Sequence, residues 1–127
     1  MTLAEALRLT NRNMIAFDLL LGTAAISAPA TTLKLLGHDE PSPDATHLFR
    51  RCGPIWLTFA AAHAVADRRG ASGDWQALAW LRGTEIATDA LWASSPAFGR
   101  PGAKLGLRLA GAANLAMAAG FAWMSRR

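Results

Sequence analysis

Tyrosine is absent from this 127-residue chain and cysteine occurs once, as Cys52. No internal disulfide can form, and CxxC redox or metal motifs are excluded. No Gly-rich phosphate loop, GxSxG elbow or Cys/His nucleophile pair is present, so the common phosphoryl- and acyl-transfer sites are missing. The formal net charge is +4, yet no run of five basic residues occurs. Arg8, Arg12, Arg50, Arg51, Arg68, Arg69, Arg100, Lys104, Arg126 and Arg127 stand singly or in pairs between apolar stretches. That spacing argues against nucleic acid and suits side chains that hold helix ends at phospholipid headgroups. A signal peptide is not expected. Glu5 and the polar Thr10-Asn11-Arg12-Asn13 precede the first apolar run, and no cleavage site follows a short apolar core.

What the chain does have is small apolar residues. Hydrophobic residues make up 52% and charged residues 17%. The mean hydropathy of only +0.18 reflects Ala and Gly in place of Leu and Ile. Small residues let helices approach closely in lipid; a soluble Ala-rich bundle is the alternative. Four apolar segments are expected at about 14–36, 48–66, 75–94 and 104–124, each near the length of roughly 20 residues that a spanning helix needs. Residues 2–12 read as a short amphipathic helix at the interface. The loop Gly37–Asp44 and the loop Asp67–Asp74 break helix, and Asp74 reads as an N-cap. The expected fold is therefore all-α: one integral membrane domain over 1–127, a four-helix up-down-up-down bundle. Both termini would share one face, with Trp75 and Trp123 near it and Trp92 and Trp56 toward the other. The basic residues divide evenly between the two faces, and the arginine pairs beside the ends tip the expectation to cytoplasmic termini.

The third segment carries Arg82, Glu85 and Asp89 at i, i+3 and i+7, on one helical face. A charge at the centre of a bilayer costs roughly 2.5–3.5 kcal/mol on insertion scales. Such a row must face partners or water inside a bundle. A rise of about 1.5 Å per residue places Asp18 and Arg82 each about two turns in from the terminal face. His63 lies near the same layer, Glu85 and Asn114 near the midplane, and Asp89 beyond it. Asp18–Arg82 is the expected ion pair, a structural bridge fixing register in its simplest reading. His63 is expected to bond Asp67 at i+4. Its alternatives are proton relay or ligation, although no ExxH spacing supports a metal. Glu85, with no obvious cation, is the residue expected to hold a proton, as a carrier or general acid needs. Its simpler reading is a bond to Asn114 or Thr88. Asp89 is expected to pair with Arg51 or Arg108. Asn114 is expected as helix–helix glue, and the acidic and histidine-rich 38–47 loop as a solvated turn. Ligand-binding candidates are thus Asp18, Arg82, Glu85, Asp89 and Asn114; catalytic candidates are Glu85, Asp89 and His63. No metal site and no cofactor are implied.

The Ala/Gly-rich segments, the first of them ending in Pro29 and then Leu33-Lys34-Leu35-Leu36-Gly37, together with a second segment opening Leu48-Phe49-Arg50-Arg51-Cys52-Gly53, resemble small bacterial four-helix membrane proteins of the DoxX-like superfamily. That resemblance implies a multi-pass protein of the bacterial cell membrane and no catalytic residue to carry over. Three roles follow as expectations. The first is an accessory or scaffold subunit, alone, as a homodimer or in a larger membrane complex, with Gly106, Ala110 and Ala113 packed on another helix. The second is a lipophilic small-molecule or proton-coupled carrier. The third is a membrane enzyme, isomerase- or cyclase-like, acting on an isoprenoid or sterol-like substrate with Glu85 as acid. Absence of a cavity would favour the first; a cavity at Glu85 would favour the others.

Overall fold

A computed structural model describes all 127 residues. It contains five α-helices and no strand: α1 (Leu3–Ser27), α2 (Pro29–Leu35), α3 (Pro43–Arg69), α4 (Ser72–Ser94) and α5 (Pro101–Met124), with a 3-10 turn at Pro96–Phe98. The expected interfacial helix at 2–12 is instead the first third of α1. Thr2 starts it with a capping box: its hydroxyl accepts from the Glu5 N–H at 3.3 Å while Glu5 accepts from the Thr2 N–H at 2.6 Å. The segment expected to run to residue 36 breaks at Ala28, because a residue before proline disfavours helical dihedrals. Pro29 then opens α2 at the position where its missing N–H costs nothing. The Thr32 hydroxyl donates to the carbonyls of Ala24 and Ala28 and ties the two helices together. Ser42 caps α3 and Pro43 follows it. Gly70, at φ 62°, closes α3 in the left-handed region. Asp74 is not a cap: α4 begins two residues earlier, and Asp74 pairs with Arg69 at 3.3 Å.

The long helices form two antiparallel hairpins, α1 with α3 and α4 with α5. Contact between the hairpins is sparser, and α1 barely touches α5. Glycine sets the α1–α3 crossing. A Cβ on Gly53 would stand 2.4 Å from Ile26 Cγ1 and 2.8 Å from the Gly22 carbonyl, so only glycine admits this approach.

Apolar side chains gather at both ends. Leu7, Ala66, Trp75, Leu78, Phe121 and Met124 form one cluster beside the termini. Ala25, Leu33, Phe49, Trp56, Phe59 and Phe98 form the other. Trp75 and Trp56 are therefore core residues rather than belt residues, and Trp80 and Trp123 are the exposed indoles. Between the clusters the usual polarity is reversed. Asp18, His63 and Arg82 are buried, while Leu19, Leu20, Ile55, Val65, Trp80, Leu109 and Leu115 face outward. The exposed arginines lie toward the helix ends. By length and composition α5 alone is long and apolar enough to cross a membrane.

Candidate functional site

The buried stripe of α1 reads Leu7, Asn11, Asp18, Gly22 and Ala25, spaced by three, four and seven. It brings Asn11 and Asp18 against α3 and α4 in one polar layer. Arg82 Nη2 donates to Asp18 Oδ2, the ion pair that depth along the helices anticipated. Arg82 also donates to His63, with Nε 3.0 Å from His63 Nε2. A nitrogen that accepts from a guanidinium carries a lone pair, so the proton of this neutral imidazole sits on Nδ1. Nδ1 lies 2.6 Å from Asn11 Oδ1 and donates to it, and Asn11 Nδ2 returns a bond to the His63 carbonyl at 3.0 Å. Phe59 lies over the guanidinium at 5.6 Å and Phe121 sits edge-on to the imidazole at 5.8 Å. All four polar residues are buried.

This geometry corrects two expectations. His63 does not bond Asp67, which pairs instead with Arg12 at 3.0 Å. Nor is His63 available as a base or ligand, since both ring nitrogens are already engaged. Asn11 is the member that the sequence reading did not select. Its seven-residue spacing from Asp18 was the available signal, because seven residues are two helical turns.

One turn further along α4 the packing opens. A cavity of about 820 Å³ lies between the hairpins, lined by α1, the end of α2, α3, α4 and α5. Its wall is mostly apolar, with Met14, Phe17, Leu21, Trp56, Trp92 and Met117 among its residues. Its polar groups are Arg82, Glu85, Thr88, Asp89, Asn114 and, at one end, Arg100. Four of the five ligand candidates thus converge on one space: Arg82, Glu85, Asp89 and Asn114. Asp18 and His63 stand behind it and hold Arg82 in place. Asp89 pairs with neither Arg51 nor Arg108; it accepts from Asn114 Nδ2 at 2.9 Å. Asn114 therefore bonds Asp89 and not Glu85. Gly106, Ala110 and Ala113, expected to pack on another helix, form part of the cavity wall instead.

The arrangement leaves acceptors over. Asn114 is 7% exposed, and its Oδ1 is buried with no partner. Glu85 and Asp89 have no cation within ion-pair distance, whereas Arg82 is paired to Asp18 and Arg100 to Asp39. No three His, Cys, Asp or Glu side chains come together in a way that could hold a metal ion. The site can accept hydrogen bonds and positive charge from something that fits an apolar space. No protein-family model, no curated protein and no solved structure matches this chain.

Proposed function

We propose that this chain is an integral membrane protein whose four long helices cross the bilayer, and that it binds a lipophilic small molecule between its two hairpins. The cavity is the observation that carries the binding reading. A volume of about 820 Å³ lies within the range of roughly 300–1,000 Å³ of small-molecule sites, and an apolar wall with a few convergent polar groups is their usual composition. A scaffold subunit needs no such space.

The reversed polarity supports the membrane. Fully buried charges beneath an apolar outer band are the opposite of what water selects, and in lipid ionisable groups turn inward to one another. α4 falls short on composition because it turns Arg82, Glu85 and Asp89 inward, and α3 carries the exposed pairs Arg50-Arg51 and Arg68-Arg69 on either side of its uncharged stretch, where long side chains reach the headgroups. A multi-pass protein of the bacterial cell membrane is also what the resemblance to DoxX-like proteins implies. The carrier and enzyme readings share the cavity. The bonded Asp89–Asn114 pair and Glu85, which meets no cation, serve binding in either.

The test is retention of ligand. Wild type and Ala110→Phe, which places a phenyl ring in the cavity, are extracted in mild detergent and compared by native mass spectrometry. Wild type is expected to carry a lipophilic species that the variant lacks. Equal content in the two proteins, or release of the chain from membranes by alkaline carbonate, overturns the proposal.

A further inference from the structure

The polar groups in the cavity wall are unevenly matched. Against an ionised Asp89, which only accepts, Asn114 takes one orientation: the amide nitrogen faces Asp89 Oδ2 at 2.9 Å. The amide oxygen is thereby fixed as a second acceptor in the cavity wall, buried and without a partner. One α4 turn away, Glu85 adds a carboxylate that meets no cation. The two arginines of the wall are neutralised from behind, Arg82 by Asp18 and Arg100 by Asp39. What the wall itself does not supply is therefore a donor for Asn114 Oδ1 and a cation for its two carboxylates. Trp56 and Trp92 add apolar surface to the same wall, one face of Trp92 being covered by Phe98 at 5.0 Å between centroids.

We infer that the ligand is an amphiphilic organic cation, a protonated amine or an onium ion with an apolar body, held by Glu85, Asp89 and Asn114 Oδ1 against Trp56 and Trp92. This rests on the cavity being a binding site at all. An inorganic divalent cation fits less well, because only two carboxylates face the space and no third His, Cys, Asp or Glu completes a set. A neutral lipid can give Asn114 Oδ1 a donor but leaves both carboxylates without a cation. An anionic one meets like charge.

The experiment compares two ions of one shape and opposite charge. Radiolabelled tetraphenylphosphonium and tetraphenylborate are titrated onto the full chain in neutral detergent, with Ala110→Phe as the blocked control. The phosphonium is expected to bind saturably with one site per chain and the borate not at all. Glu85→Gln and Asp89→Asn, which keep shape and lose charge, should each weaken phosphonium binding about tenfold. Asn114→Leu removes both the orphaned acceptor and the Nδ2 bond to Asp89; it should also weaken phosphonium binding, and unchanged binding would take Asn114 out of the proposed contacts. If both ions bind equally, are blocked by Ala110→Phe, and are indifferent to Glu85→Gln and Asp89→Asn, the cavity takes lipophilic ligands without reading charge. The cation inference then fails and the binding function stands. If neither ion binds and native mass spectrometry shows no retained species, the binding function fails and the inference with it.

Discussion

Removing Asp18 strands a buried guanidinium. Its side chain and that of Arg82 are 0% and 2% exposed, and Arg82 has no second carboxylate within ion-pair distance. After Asp18→Leu its remaining strong acceptor is His63 Nε2, 3.0 Å from Nε. Breaking a buried pair by deleting one partner costs about 3–5 kcal/mol, chiefly because the survivor is uncompensated. Arg82→Leu should cost a similar amount, since it strands Asp18 and takes the donor from His63 Nε2. Asp18→Leu with Arg82→Leu removes both charges together. What it leaves is one unpaired imidazole nitrogen, worth about 1–3 kcal/mol. The double variant should therefore be more stable than either single one. The assay is reversible unfolding in mixed micelles, followed by tryptophan fluorescence. Trp75 reports on this region, because it packs on Phe121, the ring that also touches His63. A double-mutant cycle gives the coupling directly. If the single variants each cost under about 1 kcal/mol, or the two costs add, the layer is wet or loosely paired and the argument from burial is refuted.

Two further outcomes follow from local geometry. Gly53→Ala should destabilise by about 1–3 kcal/mol through overpacking at the α1–α3 crossing, where a Cβ would stand 2.4 Å from Ile26 Cγ1. Gly83→Ala in α4, where a Cβ meets nothing within 4 Å, should instead stabilise by about 0.5–1 kcal/mol; the same unfolding assay checks both, and equal effects would refute the packing account. At the N-terminus, bonds from Thr2 hold the Glu5 carboxyl below its ordinary pKa, first through the backbone N–H and then through the side chain. A depressed carboxyl contributes stability above its unfolded pKa and loses it as pH falls through the lower folded value. Amide-exchange protection over the first turn of α1 should therefore drop on going from pH 6 to pH 3 in wild type. In Glu5→Gln it should stay unchanged over that range, and a pH-dependent drop in the variant would refute the capping role.

Much of the secondary structure was legible because its signals are local. Gly70 and the proline-bearing turns mark where helices end or begin, and the apolar segments between them became α3, α4 and α5 within a turn or two. Pro29 carried the signal for the break in the first segment, but the continuous apolar pattern hid it. The helical rise was enough to place Asp18, Arg82 and His63 in one layer, since depth along an axis depends only on residue count. Rotation about that axis does not. Whether Asn114 meets Glu85 or Asp89, and whether His63 turns to Asp67 or Asn11, depends on which faces are opposed once Gly22 and Gly53 let α1 and α3 close together.

The sequence by itself determined that the chain is helical and where its charges lie along the helices, because periodicity, proline and glycine act through the backbone of neighbouring residues. Tertiary structure alone decided that α1 pairs with α3 and α4 with α5, and that a cavity stays open between the pairs with Asn114 Oδ1 unmet in its wall. Those depend on side-chain volumes from several helices meeting in one place, and no single segment contains that information.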